Sequence, residues 1–145
     1  MFKKSFYFLM LLFTVSLIAC TKDEEEILTS PSLPLQASQV MPATTSKATG
    51  SLSANFNKGT KILNYTVTWA DLSGSHEGVR LYTGARKVNG PAVRTLATNG
   101  NMTGSLTESW TVPDSLITKL EQGLIYVSIQ TAQFPNGEIR GQLEF

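Results

Sequence analysis

Few side chains in this sequence can carry reaction chemistry. It holds one cysteine, Cys20, and one histidine, His76. Zinc sites take three or four protein ligands, so a site of the usual His/Cys kind lacks donors. Hydroxyl groups are plentiful, but no Gly-x-Ser-x-Gly turn frames one as a nucleophile. Neither a phosphate-cradling loop nor a dinucleotide fingerprint is present. His76 sits in Ser73-Gly74-Ser75-His76-Glu77-Gly78, a turn-like run expected to leave it in solvent. No catalytic set, metal or cofactor is expected from these residues. Cys20 remains, and its thiolate is a nucleophile able to accept an acyl-bearing group.

The surroundings of Cys20 say which group. Lys3 and Lys4 precede an apolar run, Phe6–Ile18, shorter than the roughly 20 residues that span a bilayer. Leu17-Ile18-Ala19-Cys20 resembles the lipobox of bacterial lipoproteins. The resemblance implies that residues 1–19 are a signal peptide and that Cys20 takes diacylglycerol. Two or three acyl chains give lasting membrane attachment, at about 0.8 kcal/mol per buried methylene. Lys22, Asp23, Glu24 and Glu25 follow and resemble the surface-export signal of Bacteroidetes lipoproteins. The expected location is the outer membrane, facing the cell exterior; a periplasm-facing anchor is the alternative.

Residues 20–47 read as the lipidated cysteine and a disordered linker. Pro31, Pro34 and Pro42 interrupt them, and the apolar residues among them follow no clean period. The folded domain is expected over 48–145. There, Leu52, Ala54 and Phe56 alternate with polar residues, as do Leu63, Tyr65, Val67 and Trp69. Val79 and Leu81, then Leu106 and Trp110, then Ile125, Val127 and Ile129, then Ile139, Leu143 and Phe145 repeat the pattern. A period of two with one apolar face predicts antiparallel strands. Asn89-Gly90, Asn99-Gly100 and Asn136-Gly137 are turn dipeptides. The expected fold is all-β, an antiparallel two-sheet β-sandwich of Ig-like kind. Pro113 and Gly123 bracket an apolar stripe of Leu116, Ile117 and Leu120, which predicts one short crossover helix.

The segments Gly123–Thr131 and Phe134–Leu143, ending in Gly-Glu-Ile-Arg-Gly-Gln-Leu, together with Leu63–Val67 and Val88–Val93, resemble CHRD (chordin-like) domains. Taken in chain order they span most of 48–145. Residues 124–131 and 138–145 alternate in opposite phase around the Asn136-Gly137 turn, so they are expected to pair antiparallel as a terminal hairpin. Many bacterial members carry histidines where this sequence has Arg80, Tyr82 and Gln130. Arginine has no acceptor, and Tyr and Gln are poor ligands for transition metals, so these three are candidates for a surface groove rather than a metal site. Arg140 is expected to face outward or line that groove with Gln130, and Glu138 and Arg140 to serve the fold.

Charged residues are 16% of the chain and the formal net charge is +1, so no basic patch marks a nucleic-acid partner. The expected function is a non-catalytic binding or scaffolding domain, attached to the membrane through Cys20, with an unknown protein or glycan ligand. A glycan-handling accessory lipoprotein, with Trp69, Trp110 or Tyr82 stacking on sugars, is the second reading. A metal-assisted enzyme is the third. Asp114-Ser115-Leu116 also resembles a short bacterial O-glycosylation motif.

Overall fold

The computed structural model describes residues 25–145. Alternation builds most of its strands. β2 (Thr49–Asn57) and β3 (Ile62–Ala70) turn Leu52, Phe56, Leu63 and Val67 inward, all essentially without exposure. β1 (Ile27–Gln36), β4 (His76–Thr83), β5 (Ala92–Ala97), β6 (Gly104–Thr111), β7 (Ile125–Thr131) and β8 (Ile139–Leu143) join them, with one helix, α1 (Asp114–Glu121). Every pairing is antiparallel. The strands form one eight-stranded sheet in the order β5-β4-β7-β8-β1-β2-β3-β6.

Two expectations are corrected here. The fold is all-β, but the two-sheet Ig-like sandwich is instead a single sheet curled into a half-barrel. The reason is β1. It pairs with β2 along its length and with β8 through Gln36 opposite Arg140, which makes the two four-stranded halves continuous. Residues 27–47 are also not a disordered linker. Leu35 is fully buried in the core, and Ala37 and Val40 further along are buried as well. A bulge between Ser30 and Leu33 resets which residues face inward. Pro31 and Pro34 fit there because a proline, lacking an N–H, suits a bulge or an unpaired strand flank.

β5 and β6 are consecutive in the chain yet occupy opposite edges of the sheet. Residues 98–103 link them, and so short a link reaches no more than about 25 Å. The edges must therefore approach. Arg94 of β5 donates to Glu108 of β6 at 3.2 Å, and its guanidinium lies 5.7 Å from the Trp110 ring centre. The Tyr65 hydroxyl donates to the same carboxylate at 2.9 Å.

α1 closes the end of the half-barrel where β1 begins. Pro113 precedes it, and Gly123, at φ +68°, ends it in the left-handed region that glycine tolerates. Leu120 is fully buried, with Leu116 and Ile117 packed on the core. Phe145 lies 6.4 Å from Phe56. The terminal hairpin pairs antiparallel as expected, with Ile125 opposite Leu143 and Ile129 opposite Ile139.

Candidate functional site

β4, β7 and β8 turn their odd-numbered apolar residues inward, so their even-numbered residues share the outer face. The register sets Arg80 against Ser128, Tyr82 against Tyr126, Ser128 against Arg140 and Tyr126 against Gln142. Such a polar face normally meets water. Here every residue of β7 and β8 is buried on both faces. Residues 37–46 and 84–91 lie over the outer face and are tied to it by hydrogen bonds. Thr44 donates to the Glu138 carbonyl at 2.9 Å, and Gln142 donates to the Gly84 and Gly123 carbonyls at 2.8 and 2.6 Å.

Arg140 lies on this outer face and lines a cleft, one of its two expected placements, yet it is only 2% exposed because the covering loops bury it. It donates to the carbonyls of Ala85 and Val88 at 2.7 and 3.1 Å and to the Gln142 side chain at 3.2 Å. Its guanidinium also lies 3.4 Å from the Tyr126 ring centre, a cation–π contact. Burial lowers its pKa. Tyr82 stacks on Tyr126 at 5.1 Å, nearly parallel. The result is a layered stack of guanidinium, ring and ring. Beside it opens a cleft of about 360 Å³, lined by Val40, Pro42, Tyr82, Tyr126, Asn136 and Arg140 among others. Gly90 is needed at its rim. A Cβ there would collide with the Thr83 carbonyl, and the Gly90 N–H donates to the Tyr126 hydroxyl at 3.2 Å.

At the opposite end from α1, Glu138 is fully buried. Its carboxylate accepts from Ser46 Oγ at 2.6 Å, from Ser73 N and Oγ at 2.8 Å each, and from Thr131 Oγ1 at 2.7 Å. Burial pushes its pKa up, and the bonds from Ser46, Thr131 and Ser73 more than offset this, so the pKa is lowered. A general base needs a pKa near the working pH; this carboxylate is held in the opposite direction. It serves as an anchor for residues 44–46 and the loop at Ser73.

His76 is 3% exposed, so the expected solvent-exposed loop histidine is a buried one. It opens β4 and meets Trp69 edge-on at 5.1 Å. Its Nδ1 has no partner, and burial lowers its pKa from the ordinary 6.5. A Cβ at Gly100 would collide with the imidazole, so glycine admits the ring. Around it is a second cavity of about 590 Å³, lined by Ser73, Glu77, Asn99, Asn101 and Gln133 among others.

The structure brings two of the three groove candidates together. Arg80 donates to Gln130 at 2.7 Å, while Tyr82 alone of the three lines the cleft. Gln130 is buried and Arg80 half-buried, so they brace the sheet. Trp69 is buried and donates to the Asn101 carbonyl at 3.0 Å, which removes it as a sugar platform. Glu25 accepts from Asn57 at 2.8 Å. Cys20, Lys22, Asp23, Glu24 and the signal peptide lie outside the described residues. Sequence reasoning missed the roofed cleft. The signal available was the density of charged and amide residues, Glu138, Arg140 and Gln142, on one face of a short strand. Among the described residues, no group of three His, Cys, Asp or Glu is placed to hold a metal, and no helix is long and apolar enough to cross a membrane.

Among protein-family models, that of the CHRD domain matches residues 32–143. No curated protein and no solved structure matches the chain.

Proposed function

The chain belongs to the CHRD domain family, and from that premise we propose that it is a non-catalytic binding module held on the outer membrane, facing the cell exterior, by lipid on Cys20. One observation carries the non-catalytic part. The charged groups of the outer face are spent on the protein itself: Arg140 on two carbonyls, an amide and a ring, Glu138 on four donors. What the cleft offers a visitor is shape, the Tyr82 ring and neutral polar groups such as Asn89 and Asn136. That is the equipment of recognition, in which a few placed polar groups orient a ligand against apolar walls. A glycan is the second reading, favoured by a flat, half-buried aromatic ring on a polar-rimmed cleft.

The anchor rests on Cys20 and the acidic run after it. Capture of ligands from intact cells by the full-length protein tests the reading. Wild type should retain a partner that Tyr82→Ala loses. Cys20→Ser should leave the membrane fraction. Equal capture by wild type and Tyr82→Ala would remove the cleft from the proposal, and membrane retention of Cys20→Ser would remove the anchor.

A further inference from the structure

The domain begins closer to Cys20 than its composition suggests, and this fixes how an anchored molecule must stand. The backbone of Glu26 already accepts from the Lys58 N–H at 3.0 Å, extending the β1–β2 ladder back to that residue. The Glu25 carboxylate is held by Asn57 at 2.8 Å. At most about 18 Å of chain separates Cys20 from Glu25, however residues 21–24 are arranged.

The end reached by so short a leash is well defined. It carries Ile27, exposed despite its apolar side chain, the turn between β2 and β3, and α1. Its charges are largely paired: Lys58 with Glu26 at 3.0 Å and Glu121 at 3.3 Å, and Lys61 with Asp114 at 2.7 Å. Paired charges neither repel a lipid surface nor draw it strongly, so the leash sets the orientation. The opposite end lies one strand length away, about 30 Å for the nine residues of β3 at 3.3 Å each. Ser73, His76, Asn99, Asn101 and Gln133 open their cavity at that far end.

We propose that the end formed by α1 and the β2–β3 turn rests against the lipid surface, and that the cavity around His76 faces away from the membrane. The proposal rests on the reading of Cys20 as the lipid-bearing residue. The test uses the full-length acylated protein in phosphatidylethanolamine and phosphatidylglycerol vesicles that contain a headgroup-nitroxide lipid. A fluorophore is placed on Thr60→Cys or, separately, on Ser75→Cys. Both positions are exposed, and a lipid-bearing Cys20 would offer the label no free thiol. Quenching at position 60 should exceed that at position 75 several-fold. Inserting about twenty Gly/Ser residues between Glu24 and Glu25 gives a coil spanning roughly 25 Å and should bring the two signals close to equality. Equal quenching without the insert, in protein whose mass confirms the acyl chains, overturns the orientation alone. Protein recovered from the membrane without acyl mass on Cys20 overturns the anchor reading and the orientation with it.

Discussion

On β2, β3 and β6 the side of the sheet away from the core meets water, whereas on β7 and β8 the same side is roofed by residues 37–46 and 84–91. The residue types differ accordingly. The open half carries short neutral side chains that pair across strands, Ser51 with Thr68 at 2.7 Å and Thr66 with Thr107 at 2.9 Å. The roofed half carries Glu138, Arg140 and Gln142, each with several internal partners. In water an unpaired hydroxyl costs nothing. Under a roof every polar group must be satisfied or it costs about 1–3 kcal/mol, more for a charge. Charge is kept where it can fasten loops, and left off where it would only be solvated.

The largest test removes what joins the halves. Deleting residues 27–36 takes out β1 and the fully buried Leu35, and should abolish cooperative thermal melting by circular dichroism. A melt like that of wild type would restore the linker reading of this segment. Next, Glu138→Ala orphans the donors of Ser46, Ser73 and Thr131 and should cost about 3 kcal/mol in urea unfolding. Thr66→Ala on the open half should stay within about 0.5 kcal/mol. Similar losses at both positions would erase the contrast.

The two halves should also differ in which extreme of pH loosens them. Glu138 has a pKa lowered from 4.5, so the unfolded chain takes up its proton first and stability falls as pH drops below about 4.5. His76, lowered from 6.5, begins that decline near pH 6.5. Urea midpoints measured across this range should lose their steeper lower part in Glu138→Gln and their upper part in His76→Phe. A further limb is alkaline. Burial, with the Glu108 carboxylate beside it, raises the pKa of Tyr65 from 10 to about 12. The unfolded chain loses that proton first, so stability should fall between pH 10 and about 12 and level above it. Tyr65→Phe should flatten this limb, and an unchanged alkaline limb in that variant would assign it elsewhere.

Where one face of a strand is apolar and the other polar, alternation makes the element legible whether the polar face is wet, as on β2 and β3, or roofed, as on β7 and β8, and all four could be read residue by residue. So could α1, marked by Pro113 and Gly123. β1 was hidden because its bulge changes the parity of inward residues between Ser30 and Leu33. β5 was missed because only its half-buried Val93, Arg94, Leu96 and Ala97 escape full exposure, so no clean alternation marks it. The roof over Arg140 could not be read from its own strand, since alternation says which residues share a face but not what covers it. His76 looked like a loop residue because glycines and serines surround it. The residue that admits its ring is Gly100, 24 positions further along the chain, which its own sequence neighbourhood does not reveal.

The junction of the halves has a mechanical side. A pull on the N-terminal end enters at Ile27 and runs into β1, whose long ladder with β2 takes load in shear, many hydrogen bonds at once. To reach the cleft over Tyr82 the same force must cross from β1 to β8, where the backbone offers Gln36 opposite Arg140. Beyond that pair the halves are joined by apolar contact, such as Leu35 against Gly141, and by side-chain bonds, Thr44 and Ser46 to Glu138 and Arg94 to Glu108. Under tension the β1–β2 pair therefore takes the load first, and the half bearing the cleft feels it through side chains rather than through a long backbone ladder.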